Sequence, residues 1–155
     1  MTTLVLVRHA KSDWGSPQLA DHDRPLNARG MRDAPVQARR LAESGVRLDA
    51  VLSSTALRAR TTASFFGAAL GLDVELDPEL YGAPAGLLLE SAAARGVDGV
   101  LVVAHDPGMT ILADRLSDGA IGRMPTCAVA TFRWDTDDWA VATSLTPDAA
   151  TVALP

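Results

Sequence analysis

The stretch "LVLVRHAKSDW", residues 4–14, carries the clearest structural signal in the sequence. Residues 4–7 are apolar without interruption, which is typical of a short strand buried on both faces. Strands of this kind form parallel sheets that are covered by helices on both sides. Because Arg8 and His9 follow at once, we expect a charged pair at the carboxyl end of this strand.

Apolar runs and helical patterns alternate through most of the chain. Further strands are predicted in "LDAVLSS" (48–54), "DVELD" (73–77) and "GVLVVAH" (99–105), and helices over 27–45, 59–71, 82–96 and from Pro107 onward. Pro35 falls inside the first helical pattern, where it predicts a kink or an irregular first turn. The alternation predicts an α/β fold: a single three-layer α/β/α domain over residues 1–155 with a mainly parallel sheet.

The C-terminal part of the sequence has a different pattern. Two strand-like segments, "CAVATFRW" (127–134) and "WAVATSL" (139–145), flank an Asp-Thr-Asp-Asp turn. This arrangement predicts a hairpin that adds an antiparallel edge to the sheet. Trp134 and Trp139 are then expected to pack across the two strands of the hairpin.

Composition narrows the classes of protein to which the chain can belong. The 155 residues carry a net charge of −5, which disfavours nucleic-acid binding. The single cysteine, Cys127, excludes an internal disulfide and fits a reducing compartment. No apolar run approaches the length of a membrane span or of a signal peptide. We therefore expect a cytoplasmic protein without nucleic-acid or membrane partners.

Four polar side chains are predicted to meet at one edge of the sheet. Ligands of open α/β sheets bind outside the carboxyl ends of the strands. Arg8 and His9 follow the first strand, Arg58 lies just beyond the second, and His105 follows the strand at 99–105. Taken singly, each is more typical of a surface loop, a buried core histidine or a solvated helix. Their convergence, beside a helix that opens at Pro107, favours a site for a phosphate dianion.

The same residues carry a resemblance to a known family. "LVLVRHAKSDW" resembles the RHG/RHA signature of the histidine phosphatase superfamily, which has the phosphoglycerate mutase-like fold. "SSTALRARTTA" and "VLVVAHDPGM" resemble its second and third motifs, and "DHDRPLNARG" resembles a segment of the branch. The RHA-Lys-Ser-x-Trp form in so short a chain is most similar to SixA-like phosphohistidine phosphatases. The resemblance extends over nearly the whole chain, with the motifs in order.

The resemblance implies roles for individual residues. His9 would be the nucleophile that becomes phosphorylated, while Arg8, Arg58 and His105 would bind the phosphoryl oxygens and His105 would take part in catalysis. Lys11, Ser12, Arg24 and the backbone N–H of Asp106 are further candidates for substrate contact. His9 must be neutral to attack, whereas a protonated His105 would be the better donor. We expect no metal or other cofactor, because the arginines can neutralise the phosphate and no HExxH spacing or cysteine pair is present.

The sequence departs from the family pattern in two respects. Lys11 and Gly15 occupy positions where many members carry Glu or Gln and Asn. The general acid is the second departure. Glu79 is the possible acid, but it precedes Tyr81 by two residues, whereas mutase-type members have the Glu next to the Tyr-Gly pair. The remaining candidates for the acid are Asp13, Asp21, Asp23 and Asp106.

The missing acid bears on the substrate. An alkoxide leaving group benefits from a positioned acid, whereas a protonated phosphohistidine can leave as neutral imidazole. The leading hypothesis is therefore a metal-independent phosphatase that acts through phospho-His9 on a phosphorylated substrate, a phosphohistidine-bearing protein. The alternative is a small-molecule phosphomonoesterase or mutase of the same superfamily. A phosphate- or phosphoprotein-binding module without turnover is the third hypothesis.

Trp14, which ends the first motif, is expected to cover the core.

Overall fold

The computed structural model describes all residues, 1–155. Its strands are β1 (Thr2–Arg8), β2 (Ala50–Ser53), β3 (Val74–Leu76), β4 (Gly99–Ala104), β5 (Val129–Trp134) and β6 (Ala149–Ala153). Its helices are α1 (Ala28–Glu43), α2 (Leu57–Leu70), α3 (Ala85–Ala93), α4 (Gly108–Leu116) and α5 (Trp139–Ala142). Two 3₁₀ turns lie at Asp21–Asp23 and Pro78–Leu80. No helix has both the length and the apolar character needed to cross a membrane.

The six strands form one sheet in the order β3-β2-β4-β1-β5-β6. β1, β2, β3 and β4 are parallel, whereas β5 runs antiparallel to β1 and pairs in turn with β6. The predicted α/β class and the mainly parallel sheet with antiparallel pairing on one side are confirmed. Arg8 pairs with Ala104 and Ser53 with Val103, so three neighbouring parallel strands end at nearly the same level.

Successive residues of β1 face opposite helical layers, as the period of a strand requires. Leu4 and Leu6 pack into the core that includes residues of α3, α4 and α5. Val5 and Val7 pack on the other side with residues of α1 and α2. All four side chains are fully buried. This explains why β1 reads as an uninterrupted apolar run.

The predicted second strand of the C-terminal hairpin, residues 139–145, is wrong. Residues 139–142 form α5, because the Asp138 carboxylate accepts a hydrogen bond from the N–H of Ala140 and caps the helix. β6 lies further along the chain and supplies the pairing partner of β5. The rings of Trp134 and Trp139 are 6.4 Å apart, but they pack between a strand and a helix rather than across a hairpin.

Helix α1 continues through Pro35 and ends at Glu43. Pro35 is the eighth residue of the helix, so it does not mark an irregular first turn. The helix is capped at its start by Asn27, whose side chain accepts a hydrogen bond from the N–H of Gly30 at 2.9 Å. The helix therefore starts close to residue 27, where the sequence predicts it.

Candidate active site

Two histidines lie side by side at the carboxyl ends of neighbouring parallel strands. His9 follows β1 and His105 follows β4, one residue beyond the paired Arg8 and Ala104. The N–H of His9 donates to the carbonyl of Ala104 at 3.1 Å, which ties the two loops together. The ring centroids are 5.1 Å apart and the rings are tilted by 54°. The register of the sheet thus places both imidazoles at one rim.

The ring of His9 is held in one tautomer. Its Nδ1 lies 2.7 Å from the carbonyl oxygen of Ala10, which can only accept a hydrogen bond, so Nδ1 carries the proton. Nε2 is then left with its lone pair. Burial, together with the positive charge of Arg58 and Arg8, lowers the pKa of His9 to about 3. His9 is therefore neutral at physiological pH, as a nucleophile must be.

Ser54 fixes the tautomer of His105. The Ser54 hydroxyl is fully buried, accepts a hydrogen bond from the N–H of Ala56 at 3.2 Å, and lies 2.8 Å from His105 Nε2. The Ser54 hydroxyl has no other hydrogen-bonded acceptor for its proton, so we infer that it donates to His105 Nε2 and that Nδ1 of His105 carries the ring proton. Nδ1 is buried and has no partner in the protein.

The expected protonated His105 does not describe the free protein. Burial, followed by the charge of Arg58, lowers the pKa of His105 to about 4, so the ring is neutral. The tautomer set by Ser54 nevertheless presents an N–H at Nδ1. A neutral His105 can thus donate to a phosphate oxygen, and the bound dianion would favour its protonation further.

Arg8 and Arg58 are both held by their terminal nitrogens. Arg8 Nη1 donates to the carbonyl of Met124 at 3.0 Å and lies 3.4 Å from the carboxylate of Asp106. Arg58, at the start of α2, donates from Nη1 and Nη2 to the backbone and the carboxylate of Asp21 at 2.6 Å and 2.9 Å. The Nε of each arginine is buried without a partner. Both guanidinium groups are therefore held by the protein, and the buried Nε–H of each is free to bind a ligand.

Asp21 is the carboxylate that binds Arg58 at the mouth of the site, and the sequence places it only among several candidates. Its side chain accepts hydrogen bonds from Arg58, from Arg24 Nε at 3.1 Å and from the hydroxyl of Tyr81. These bonds, with Tyr81 the strongest cause, hold the pKa of Asp21 well below its usual range. Its spacing in "DHDR", three residues before Arg24, was the one available signal.

Arg24 and its neighbours form the rim beside Asp21. Arg24 is buried, and its Nη1 donates to Ser12 Oγ at 2.7 Å, so the hydroxyl of Ser12 is already engaged. The guanidinium carbon lies 3.5 Å from the centre of the Trp14 ring. Trp14 is 71% exposed, so the expectation that it covers the core is wrong. It stacks on Arg24 at the surface instead.

The other predicted site residues differ in their surroundings. The side chain of Asp106 accepts hydrogen bonds from the N–H and the hydroxyl of Thr110, at the start of α4, and it forms an ion pair with Arg8. The backbone N–H of Asp106 has no acceptor in the protein. The ammonium group of Lys11 makes no hydrogen bond or ion pair. The same is true of the carboxylate of Glu79, which is exposed in the second 3₁₀ turn. No group of three or more His, Cys, Asp or Glu side chains is arranged as a metal site.

The arrangement has the chemical properties of an anion site beside a nucleophile. His9 lies beside three residues that each hold a buried nitrogen without a partner, Arg8, Arg58 and His105. Buried donors without acceptors cost free energy unless a ligand satisfies them. A tetrahedral oxyanion offers acceptors in several directions at once and fits such a cluster.

Comparison with known proteins identifies a family. The model of the histidine phosphatase superfamily (branch 1) matches residues 4–88. An uncharacterized protein of Mycobacterium tuberculosis is 37% identical over 139 residues, which cover 82% of this chain and 86% of that protein. A 2,3-bisphosphoglycerate-dependent phosphoglycerate mutase of Rhizobium meliloti is 32% identical over 102 residues, 60% of this chain and 48% of the mutase.

Two solved structures of SixA proteins have a fold similar to that of this chain. A candidate phosphohistidine phosphatase SixA from Agrobacterium tumefaciens superposes with a TM-score of 0.77 at 32% identity, covering 84% of this chain and 91% of that one. The protein histidine phosphatase SixA complexed with tungstate has a TM-score of 0.77 at 26% identity, covering 99% of this chain and 95% of that one.

Proposed function

Because this chain belongs to the histidine phosphatase superfamily and is a phosphatase, we propose that it works through a phosphohistidine intermediate on His9 and that its substrate is phosphohistidine in a protein. Arg8, Arg58 and His105 bind the phosphoryl oxygens, and the N–H of Asp106 adds a fourth donor. We further propose that residues 1–155 act as one cytoplasmic domain without a metal or other cofactor.

One observation carries this proposal. The chain has just three buried side-chain nitrogen or oxygen atoms without a hydrogen-bond partner: Arg8 Nε, Arg58 Nε and His105 Nδ1. All three belong to residues at the rim of the sheet beside His9. Such unpaired buried donors are rare in folded proteins and mark sites where a ligand completes the hydrogen bonding. Three donors correspond in number to the three equatorial oxygens of a phosphoryl group in transfer.

The reaction balances with the residues present. The lone pair of His9 Nε2 attacks phosphorus, and the bond from phosphorus to the substrate nitrogen breaks with its electron pair going to that nitrogen. The Ala10 carbonyl keeps its hydrogen bond from Nδ1–H and stabilises the positive charge on the phosphorylated ring. Water then attacks phosphorus, the electron pair returns to His9 Nε2, and phosphate leaves with the hydrogens of the water.

The carboxylates of the site support a phosphohistidine substrate over a phosphate ester. Asp21 is ionised, Asp106 is engaged with Thr110 and Arg8, and Glu79 is exposed without a contact. Two of these carboxylates are bound to arginines and the third makes no side-chain hydrogen bond to the site, so none of them is placed to protonate an alkoxide. A phosphorylated imidazole that carries a proton on its second nitrogen needs no such acid, because it leaves as neutral imidazole.

A trapping experiment tests the nucleophile. The protein is mixed with a ³²P-phosphohistidine protein, quenched in alkali and analysed for acid-labile label on this chain. Wild type should become labelled and should release phosphate equally well in EDTA. His9→Ala should carry no label, while His22→Ala, which removes the third histidine of the chain, should keep it. Labelled His9→Ala, or turnover by it at the wild-type rate, would show that His9 is not the nucleophile.

A further inference from the structure

The carboxylate of Asp21 stands at the mouth of the site and is not fully used by the protein. A carboxylate has about four acceptor positions. Oδ2 accepts from Arg58 Nη2 and from the Tyr81 hydroxyl, whereas Oδ1 accepts only from Arg24 Nε. The Asp21 side chain is 49% exposed. Oδ1 therefore has room for one more donor from the solvent side.

We propose that Asp21 is a specificity-determining residue that accepts a hydrogen bond from the second ring nitrogen of the substrate imidazole and so selects a nitrogen leaving group. This inference rests on the proposed function and names the feature of the site that distinguishes phosphohistidine from phosphate esters. The same carboxylate disfavours a leaving group that carries negative charge.

The position of Asp21 relative to the anion site follows from Arg58. The two Nη atoms of Arg58 bind Asp21, and its Nε is the buried donor without a partner. The guanidinium group thus separates Asp21 from the phosphoryl position by its own width. Since His9 lies buried on the floor of the site, in-line attack directs the leaving group outward, toward this half-exposed carboxylate.

Aromatic rings line the same part of the mouth. The ring of Tyr81 meets His105 edge-on at 5.4 Å and His22 edge-on at 4.9 Å. Tyr81 is 39% exposed, so part of its ring is open to a planar ligand. An imidazole can pack on this ring while its N–H reaches Asp21, which is also the acceptor of the Tyr81 hydroxyl.

The charges around the mouth differ from those on the floor. Arg8 is half-buried and Arg58 is buried, whereas Asp23 and Glu79 are exposed in the two 3₁₀ turns beside Asp21. Arg24 also lies at this rim, but it is buried and paired with Asp21, so the exposed carboxylates repel a substrate that has a carboxylate or a second phosphate on its leaving group. They tolerate a phosphoryl group carried on a neutral or cationic ring. The rim therefore favours phosphohistidine over anionic phosphate esters.

The proton on the second ring nitrogen is what Asp21 would control. A carboxylate at hydrogen-bond distance stabilises the protonated, cationic form of the phosphorylated imidazole. When the bond to phosphorus breaks, its electron pair neutralises that ring, and the proton remains where it was. No proton is transferred in this step, so an ionised Asp21 is the suitable partner and a protonated one is not needed.

The test compares two substrates with two charge-neutralising variants. One peptide sequence is prepared with either phosphohistidine or phosphoserine at the same position. Asp21→Asn should lower kcat/KM for the phosphohistidine peptide about tenfold more than kcat/KM for the phosphoserine peptide, because both substrates share the contact with Arg58 and only the first has a ring N–H for Asp21. Asp21→Glu should restore part of the preference. Asp73→Asn, which removes an exposed charge at the opposite edge of the sheet, before β3, should keep the wild-type ratio.

The outcomes separate the alternatives. Equal losses on both peptides would show a merely structural role for Asp21, and equal gains would show that it only blocks Arg58; either result overturns the inference. A loss confined to the phosphoserine peptide would identify it as a general acid and also overturn it. The alkali-stable ³²P label on His9 tests the proposed function separately. If wild type is labelled but Asp21→Asn has the same ratio of kcat/KM for the two peptides, only the role of Asp21 is refuted. If wild type is not labelled, the proposed function on which this role rests is refuted.

Discussion

Replacing Ser54 with alanine tests how the site holds His105. The Ser54 hydroxyl is fully buried and makes two hydrogen bonds, one from the N–H of Ala56 and one to His105 Nε2. Each buried hydrogen bond contributes about 1 kcal/mol net. The variant should therefore lose about 2 kcal/mol of unfolding free energy. In a chain of this size that loss corresponds to a decrease in Tm of about 4–8 °C.

The same substitution should weaken catalysis beyond its effect on stability. Without a donor at Nε2, the ring of His105 can carry its proton on either nitrogen. Molecules with the proton on Nε2 present a lone pair at Nδ1 to the phosphate and repel it. If the Ser54 bond biases the tautomers by about 1.4 kcal/mol, the fraction of molecules with the proton on Nδ1 falls from about nine-tenths to about one-half when the bond is lost, so kcat/KM falls about twofold.

Ser53→Ala is the matched control. The Ser53 hydroxyl is also fully buried and donates to the carbonyl of Ser54 at 2.9 Å, but it makes no hydrogen bond to His105. Both variants should melt earlier, and only Ser54→Ala should lose activity. Thermal unfolding, steady-state kinetics and the ¹⁵N shifts of the His105 ring measure the three quantities. The reasoning is refuted if Nδ1 of His105 carries no proton in wild type, or if Ser54→Ala keeps full kcat/KM.

Three further predictions concern pH, packing and reactivity. The lowered pKa values of His9 and His105, about 3 and about 4, mean that the unfolded chain binds more protons below pH ~6.5. Urea unfolding should therefore show stability falling as pH drops from about 6.5 toward 4, by up to about 1.4 kcal/mol per unit for each histidine, with a shallower slope in His105→Gln. A Cβ at Gly30 would lie 2.2 Å from a backbone oxygen, so Gly30→Ala should cost about 1–3 kcal/mol in the same assay. Gly86→Ala, in a helix with open space, should gain roughly 0.5–1 kcal/mol. Burial raises the pKa of Cys127 to about 12, so its thiol should resist alkylation at pH 8 until the protein unfolds.

The parts of the structure that follow from local pattern were predictable. β1 and β4 are apolar runs, and parallel strands end at a common edge, so the neighbourhood of His9 and His105 follows from their positions after these strands. Arg58 follows from the same rule, because it begins the helix after β2. Strand-end residues need no knowledge of distant contacts to be placed.

Other features depend on contacts between distant segments. Asp21 lies in a loop, and its place is set by Arg58 and Tyr81, which are 37 and 60 residues away in the chain. No periodicity identifies such a residue, and its spacing to Arg24 alone does not rank it above the other three candidate aspartates. The prediction of a strand at 139–145 is wrong for a different reason. The apolar residues of this segment are typical of a strand, but the Asp138 side chain caps and stabilises a helix that begins at Trp139.

The two arginines of the site have the same pattern of hydrogen bonds, which explains how the phosphate site can be preorganised before the substrate binds. Arg8 donates hydrogen bonds to the protein from Nη1, and Arg58 does so from Nη1 and Nη2. In both residues Nε is buried and has no partner. Their guanidinium planes are therefore fixed in advance, and an arriving phosphate finds donors that need no reorganisation. A lysine carries the same charge, but its single nitrogen cannot bind the protein and the phosphate in two fixed directions. The planar fork of arginine, rather than positive charge alone, is what the protein uses at both positions.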